Sequence, residues 1–265
     1  MPPRGRKRNI LARGNVEALR QVAWSNVLIG LDYDGTLAPI VSQPEQAHMR
    51  ARTRRLLAEV VLLYPCAIIS GRGRPDLLRR LQGVGRIDTV GNHGIEPGRD
   101  TPSFTSEVRR WVRVLQRRLA GLRGVVIEDK VFSLSIHYRH SRARRAARAA
   151  IEDALALIQP ARVIGGKLVY NVLPPGAPHK GMALLAARER YRCDAALYIG
   201  DDDTDEDVFS LEDPGRLLSI RVGASATSRA SYFIRTQRDI DAVLEIIVSC
   251  GRERQVLKRD QRRSA

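Results

Sequence analysis

The stretch Val27-Leu28-Ile29-Gly30-Leu31-Asp32-Tyr33-Asp34-Gly35-Thr36-Leu37 decides the fold of this chain. Its first half is an unbroken apolar run of strand length, the mark of a strand buried on both faces of a parallel sheet. Two carboxylates one residue apart follow, then a glycine and a hydroxyl. A strand of this kind delivers acid groups to the carboxyl edge of its sheet, where the ligand sites of open α/β sheets gather. Alternate side chains of a strand face opposite ways, but Gly35 allows the chain to turn at the strand's end. Asp32 and Asp34 can then approach one centre. Two acids at one centre repel unless a positive charge lies between them, which implies a divalent cation with oxygen ligands, magnesium.

Downstream, strand and helix alternate. A loop with Pro39 and Pro44 leads to a helix expected over residues 49–63, with Leu56, Leu57, Val60 and Leu63 on one face. Residues 66–70 read as a second buried strand, 76–81 as a helix, and 87–90 as a third strand running into Gly91-Asn92-His93-Gly94. This βαβαβ run is the signature of a doubly wound sheet. The pattern then changes to a helix over 103–122, strands over 125–128 and 132–138, a helix over 142–158, and strands over 162–164 and 167–173. A helix-strand-strand unit given twice predicts an antiparallel sheet with helices on one face. The α/β pattern resumes with a helix over 180–191 and strands over 195–199 and 218–222. A helix over 240–250 closes the chain, with Gly251 at its end. The expected fold is α/β, a doubly wound parallel sheet built from residues 1–97 and 175–265, with an α+β module inserted at 98–174.

Composition narrows the function classes. At 265 residues and 43% hydrophobic content the chain can bury a sizeable core. No apolar run approaches the roughly 18 residues of a membrane span. The basic start, residues 1–8, is followed only by Ile10, Leu11 and Ala12, too short for a signal-peptide core. Cys66, Cys193 and Cys250 are widely spaced and odd in number, which suggests reduced structural thiols and a cytoplasmic location. The net charge of +16 favours anionic partners. Its arginines, however, are spread along the chain, and the aromatic content of 5% shows no stacking pattern. The charge reads as solvated faces plus frayed basic ends at 1–13 and 251–265. Neither nucleic acid nor membrane is expected as a partner, and the chain is expected to be monomeric. A nucleic-acid-binding protein is the alternative from another class, and it gives the ordered acids no role.

Four polar motifs fall at strand ends or helix starts. Asp32 and Asp34 close the first strand, and Ser70-Gly71-Arg72 closes the second, where a hydroxyl and backbone N–H groups could hold a phosphoryl oxygen. Lys180-Gly181 opens the helix after the insertion, and Gly200-Asp201-Asp202-Asp203-Thr204-Asp205-Glu206-Asp207 follows a later strand. Anion donors, a lysine and acids around a metal describe phosphoryl transfer. The acidic run also begins like a calcium loop, with Asp201, Asp203, Asp205 and Glu212 suitably spaced. Glu206, however, stands where that loop needs glycine, and a strand precedes it.

Taken in order, these motifs resemble the haloacid dehalogenase-like phosphatase superfamily in Asp32–Thr36, Ser70, Lys180 and Asp201–Asp205. The finer resemblance is to the trehalose-6-phosphate phosphatases. It is carried by residues 31–40, Ile69-Ser70-Gly71-Arg72, Gly91-Asn92-His93-Gly94, residues 200–207 and, in the insertion, Glu128-Asp129-Lys130, Ser133 and His137-Tyr138-Arg139. The resemblance implies a magnesium-dependent phosphatase of trehalose 6-phosphate in which Asp32 attacks phosphorus and becomes an aspartyl-phosphate. Asp34 would protonate the leaving sugar oxygen and then activate water. Magnesium would be held by the Asp32 carboxylate, the Asp34 backbone carbonyl and Asp201, with Asp205 in support. Ser70 and Lys180 would bind the phosphoryl group. Arg72, Asn92, His93, Glu128, Lys130, His137, Arg139 and Asn171 would bind the rest of the substrate, the insertion serving as its cap. The chain departs from the family pattern Glu-x-Arg-Pro in Asn171-Val172-Leu173-Pro174: an acid becomes an amide and a forked cation becomes apolar. Another sugar phosphate or phosphorylated disaccharide is therefore the nearest alternative substrate.

Overall fold

The computed structural model describes residues 8–98, 101–212 and 215–263. Its chain begins with a short strand β1 (Arg8–Asn9) and helix α1 (Val16–Trp24), then enters β2 (Val27–Leu31), α2 (Ala51–Leu63), β3 (Cys66–Ile69), α3 (Arg74–Arg80) and β4 (Asp88–Val90). The second stretch is α4 (Thr101–Arg118), β5 (Val126–Asp129), β6 (Leu134–His137), α5 (Arg144–Leu155), β7 (Arg162–Gly166) and β8 (Val169–Leu173). The third is α6 (Lys180–Arg190), β9 (Ala195–Gly200), α7 (Glu206–Phe209), β10 (Leu217–Val222), β11 (Tyr232–Ile234) and α8 (Ile240–Arg263).

Seven strands form one parallel sheet in the order β1-β11-β10-β9-β2-β3-β4. The chain winds outward from β2 through β3 to β4, then returns to the other side of β2 through β9. The order therefore reverses between β2 and β9, the place where ligands enter such sheets. Strand β2 is apolar throughout because both its faces are covered. Val27, Ile29 and Leu31 join the cluster under α1, α2 and α8, whereas Leu28 joins the one under α6 and α7. Gly30 stands where a side chain cannot: a Cβ there would lie 2.6 Å from Leu184.

The second sheet is antiparallel, in the order β5-β6-β8-β7, and all its strands lie between β4 and α6. Val108, Trp111 and Leu115 of α4 and Ala147 and Ile151 of α5 pack on Leu134, Ile136 and Val172. The opposite face is left to polar residues, among them Ser135, which pairs across the strands with Asn171.

Both chain ends differ from the sequence expectation. Within 1–13, residues 8–9 pair with β11, Arg8 covers the ring of Tyr232, and Ile10 is fully buried; residues 1–7 lie outside the described residues. At the other end, α8 runs through Gly251 to Arg263 instead of stopping at residue 250. Gly251 is a close-approach glycine, since a Cβ there would stand 2.7 Å from the Tyr64 ring and 3.0 Å from Leu63. The next turn is tied down by Arg254, which bonds the Ser25 and Leu63 carbonyls and lies over Tyr64. Residues 264–265 lie outside the described residues.

Candidate active site

The acids sit where the sheet order reverses. Leu31 of β2 pairs with Ile199 of β9, and the Asp32 N–H donates to the Ile199 carbonyl at 2.9 Å. Asp32 and Asp201 thus leave adjacent strand ends. Gly35, at φ +79°, lets the turn fold back closely: a Cβ there would fall 2.0 Å from the Asp201 carboxylate. The turn is fastened by the Tyr33 hydroxyl on the Ala47 carbonyl.

Asp205 is fully buried and saturated. Its Oδ1 accepts from Lys180 Nζ and from the Tyr198 hydroxyl, each at 2.7 Å. Its Oδ2 accepts the backbone N–H groups of Asp201 and Asp202, each at 2.9 Å. Lys180, at the start of α6, also lies 3.1 Å from Asp32 Oδ1. These bonds commit Asp205 to the interior rather than to a calcium loop, and Glu206 is taken by Arg221 and the Arg229 N–H.

Burial pushes the Asp32 carboxyl up to about 8; Lys180 opposes this, while Asp205 and Asp34 add to it. Asp201 is driven well above the carboxylate range by burial, then by Asp32 and Asp205, and its Oδ1 has no hydrogen-bond partner. For Lys180 burial works downward, but Asp205 and Asp32 outweigh it and hold the ammonium above its ordinary value. Oxygens of Asp32, Asp201 and Asp205 all lie within 4.8 Å of one another. Three close carboxylates with one lysine leave negative charge uncompensated, and the orphaned Asp201 oxygen marks where a hard cation fits.

Ser70 follows β3, 1% exposed, and its Oγ accepts the Arg72 N–H at 3.3 Å. His93 packs on Gly71 so closely that a Cβ at Gly71 would stand 2.4 Å from its ring. Neither of its ring nitrogens has a partner. Burial, then Lys130, Lys180 and Arg162, hold it well below the usual histidine range.

A cavity of about 810 Å³ lies between the two sheets. Asp32, Asp34, Ser70, Lys180 and Asp201 line its floor, and Glu128, Lys130, His137, Arg139 and Asn171 its roof, with Arg72 and His93 between. The roof is fastened to the floor at several points. Lys130 Nζ bonds the Gly71 carbonyl at 3.0 Å, Arg139 bonds the Val41 carbonyl at 3.0 Å, and Arg162 pairs with Asp207. Glu128 and His137 hydrogen-bond each other at 2.8 Å.

One expected site residue stands elsewhere. Asn92 does not line the cavity. Its amide bonds Glu96 and the Lys130 carbonyl and accepts from Ser133 at 2.7 Å, which ties the β5–β6 turn to the core. Asp205 belongs to the acid cluster without itself lining the cavity. Ser135, His140 and Lys167 line the cavity although the sequence did not single them out as site residues. For Ser135 the signal was available in the alternation of β6, which places it on the face of Ser133 and His137.

The structure also separates the two positions that depart from the family pattern. Asn171 faces the cavity, its Oδ1 accepting from Ser135 at 2.8 Å. Leu173 is fully buried with Ile95 and Ala177, against Phe104, Phe132 and Ile164. Leu173→Arg should therefore destabilise the protein by roughly 3–5 kcal/mol, because it buries an unpaired cation. Urea unfolding measures this, and an unchanged midpoint would show that the side chain escapes to solvent.

A parallel core with paired acids at its reversal point and an α+β insertion above them is the fold of the haloacid dehalogenase-like phosphatases. The chain belongs to the trehalose-phosphatase family, whose sequence profile matches residues 30–236, and it is a phosphatase. It is 27% identical over 266 residues to trehalose-phosphate phosphatase B of Arabidopsis thaliana, spanning 89% of this chain and 70% of that one. It is 30% identical over 248 residues to probable trehalose-phosphate phosphatase 4 of Oryza sativa subsp. japonica, spanning 86% and 67%. The solved C-terminal domain of C. albicans trehalose-6-phosphate phosphatase shares the fold, with TM-score 0.76 and 22% identity over 92% of this chain and 98% of that one. No helix among the described residues is long and apolar enough to cross a membrane.

Proposed function

We propose that this chain hydrolyses trehalose 6-phosphate to trehalose and phosphate, with magnesium and through an aspartyl-phosphate on Asp32. The observation that carries this reading is a sugar-sized cavity with the acid–lysine–serine cluster on its floor and polar residues on its roof. Asp32 attacks phosphorus, the bond to the sugar oxygen breaks, and that oxygen takes the proton of Asp34. Water then attacks the aspartyl-phosphate, giving its proton to Asp34 and releasing Asp32. Ser70 and Lys180 hold phosphoryl oxygens. The Asp32 carboxylate, the Asp34 carbonyl and Asp201 would hold magnesium, with Asp205 bracing Lys180 and the Asp201 loop. The cation supplies Lewis-acid stabilisation of the phosphoryl charge. Segment 98–174 acts as the substrate cap. The three free, buried thiols suit a cytoplasmic enzyme.

Phosphate release over a panel of sugar phosphates, with and without magnesium, tests the reading. Trehalose 6-phosphate should rank first, and another sugar phosphate in that place would transfer the assignment to it. The cap is tested separately. Loss of a hydrogen bond to a charged group costs roughly 1.5–3 kcal/mol, so Glu128→Ala should lower trehalose 6-phosphate turnover about ten-fold or more. A small aryl phosphate, too short to reach the roof, should change little. Asn171→Glu restores the family's acid at the one departing position that meets the cavity, and it should improve trehalose 6-phosphate relative to any competing substrate. Parallel losses of aryl and sugar phosphate in Glu128→Ala would remove the cap from specificity.

A further inference from the structure

The sequence reading placed Arg72 among the groups that bind substrate, but in the structure its guanidinium is already committed. Nε donates to Asp34 Oδ2 and Nη2 to Asp34 Oδ1, both at 2.6 Å, a two-pronged pairing. Nη1 donates to Asp76 Oδ2 at 2.8 Å, and Nη2 also reaches the Pro44 carbonyl at 2.8 Å. The group lies 5.5 Å from the Tyr33 ring centroid. Asp76 is in turn held by Arg80 at 2.8 Å, and Arg80 is anchored on the Ala47 carbonyl at 2.7 Å. The side chain of Arg72 is 12% exposed, that of Asp34 36%, so the carboxylate is the more open member of the pair.

We infer that Arg72 is a positioning residue for Asp34 and not a clamp on the substrate's phosphate. A planar fork bonded to both oxygens fixes the plane of the carboxyl group, while each oxygen keeps a lone-pair position free for the leaving oxygen or for water. The Asp76–Arg80 brace, outside the cavity, fixes the fork. This rests on the acid–base role proposed above for Asp34. What Arg72 controls is the geometry of one proton: from the Asp34 carboxyl to the sugar oxygen as the phosphorus–oxygen bond breaks, and from water to Asp34 as the Asp32–phosphorus bond breaks.

The leaving group separates the two roles. A sugar alkoxide must be protonated as it departs, whereas 4-nitrophenolate leaves as a stable anion and needs no acid. In single-turnover experiments with the full chain and magnesium, Arg72→Gln should slow trehalose release from trehalose 6-phosphate about 100-fold, the usual scale for a misplaced acid. Release of 4-nitrophenolate from 4-nitrophenyl phosphate should change far less. KM and inhibition by inorganic phosphate should stay near those of the parent, and Arg72→Lys, which keeps the charge but not the fork, should fall between. Asp76→Asn, which loosens the brace, should show the same leaving-group selectivity at smaller size. It decides the matter if Arg72→Gln does not fold. Equal losses for both substrates, or weakened inorganic phosphate inhibition, would make Arg72 a phosphate ligand and overturn the inference. The chemistry itself stands or falls separately, on Asp32.

Discussion

Asp32→Asn folds like the parent and loses turnover by at least about three orders of magnitude, the scale expected when the nucleophile of a very slow uncatalysed reaction is removed. An amide neither attacks phosphorus effectively nor offers an anionic oxygen to a cation. The substitution also removes a buried charge that burial and neighbouring carboxylates disfavour, so thermal stability should hold or rise. Phosphate release from a purified variant, with circular dichroism beside it, checks both parts. Beryllofluoride, a mimic of phosphoryl aspartate, should inhibit the parent and not the variant. Substantial turnover in Asp32→Asn would defeat the covalent mechanism.

Chelation of divalent metal should abolish trehalose 6-phosphate turnover, and Asp201→Asn should reproduce most of that loss at ordinary magnesium levels. The structure adds a readout independent of activity. Asp32 titrates higher in the fold, near 8, than the ordinary carboxylate value of 3.8. In the metal-free protein its stabilising contribution is therefore complete below about pH 4, where both states are protonated. It is lost as pH rises towards 8, because the unfolded state releases the proton first. A bound cation reverses the balance by favouring the ionised carboxylates. Magnesium should thus raise the thermal midpoint more at pH 8 than at pH 5, with about 2.7 kcal/mol gained at one hundred times its dissociation constant. An equal midpoint with and without the ion at pH 8 would exclude binding at this acid cluster.

The core and its acid centre were legible because their signals are local. Strand β2 carries an unbroken apolar run and its acids in one stretch, and the later motifs also sit at strand ends or helix starts. Other features depend on partners remote in sequence. Strands β1 and β11 have two and three residues, too few to show periodicity, and only pairing, of β11 with β10 and of β1 with β11, makes them strands. Helix α1 buries Leu19 and Ala23 fully, a thin apolar signal. Gly251 resembled a helix stop because sequence cannot show that Tyr64 presses against it. The family resemblance made Arg72 and Asn92 ligands for substrate. Their partners Asp34 and Ser133 lie 2.6–2.7 Å away in space, across turns no periodicity connects. Leu173 read as a changed recognition residue, yet, on the same face of β8 as Asn171 but at the strand's end, it lies outside the cavity lining and packs into a small apolar cluster.

The pairing of β2 with β9 has a consequence for how the chain is made. The strand that carries Asp32 finds one sheet neighbour in β3 almost at once, but its other edge must wait for β9, which is synthesised only after both helices and all four strands of the insertion. During translation that edge is an unpaired row of backbone donors and acceptors flanked by Val27, Ile29 and Leu31, the kind of template on which chains associate wrongly. The insertion, with its own buried cluster, can be complete while the core is still half a sheet. Ribosome-bound chains stopped before β9 should therefore already protect the amides of β6 and β8, while those along the open side of β2 exchange freely.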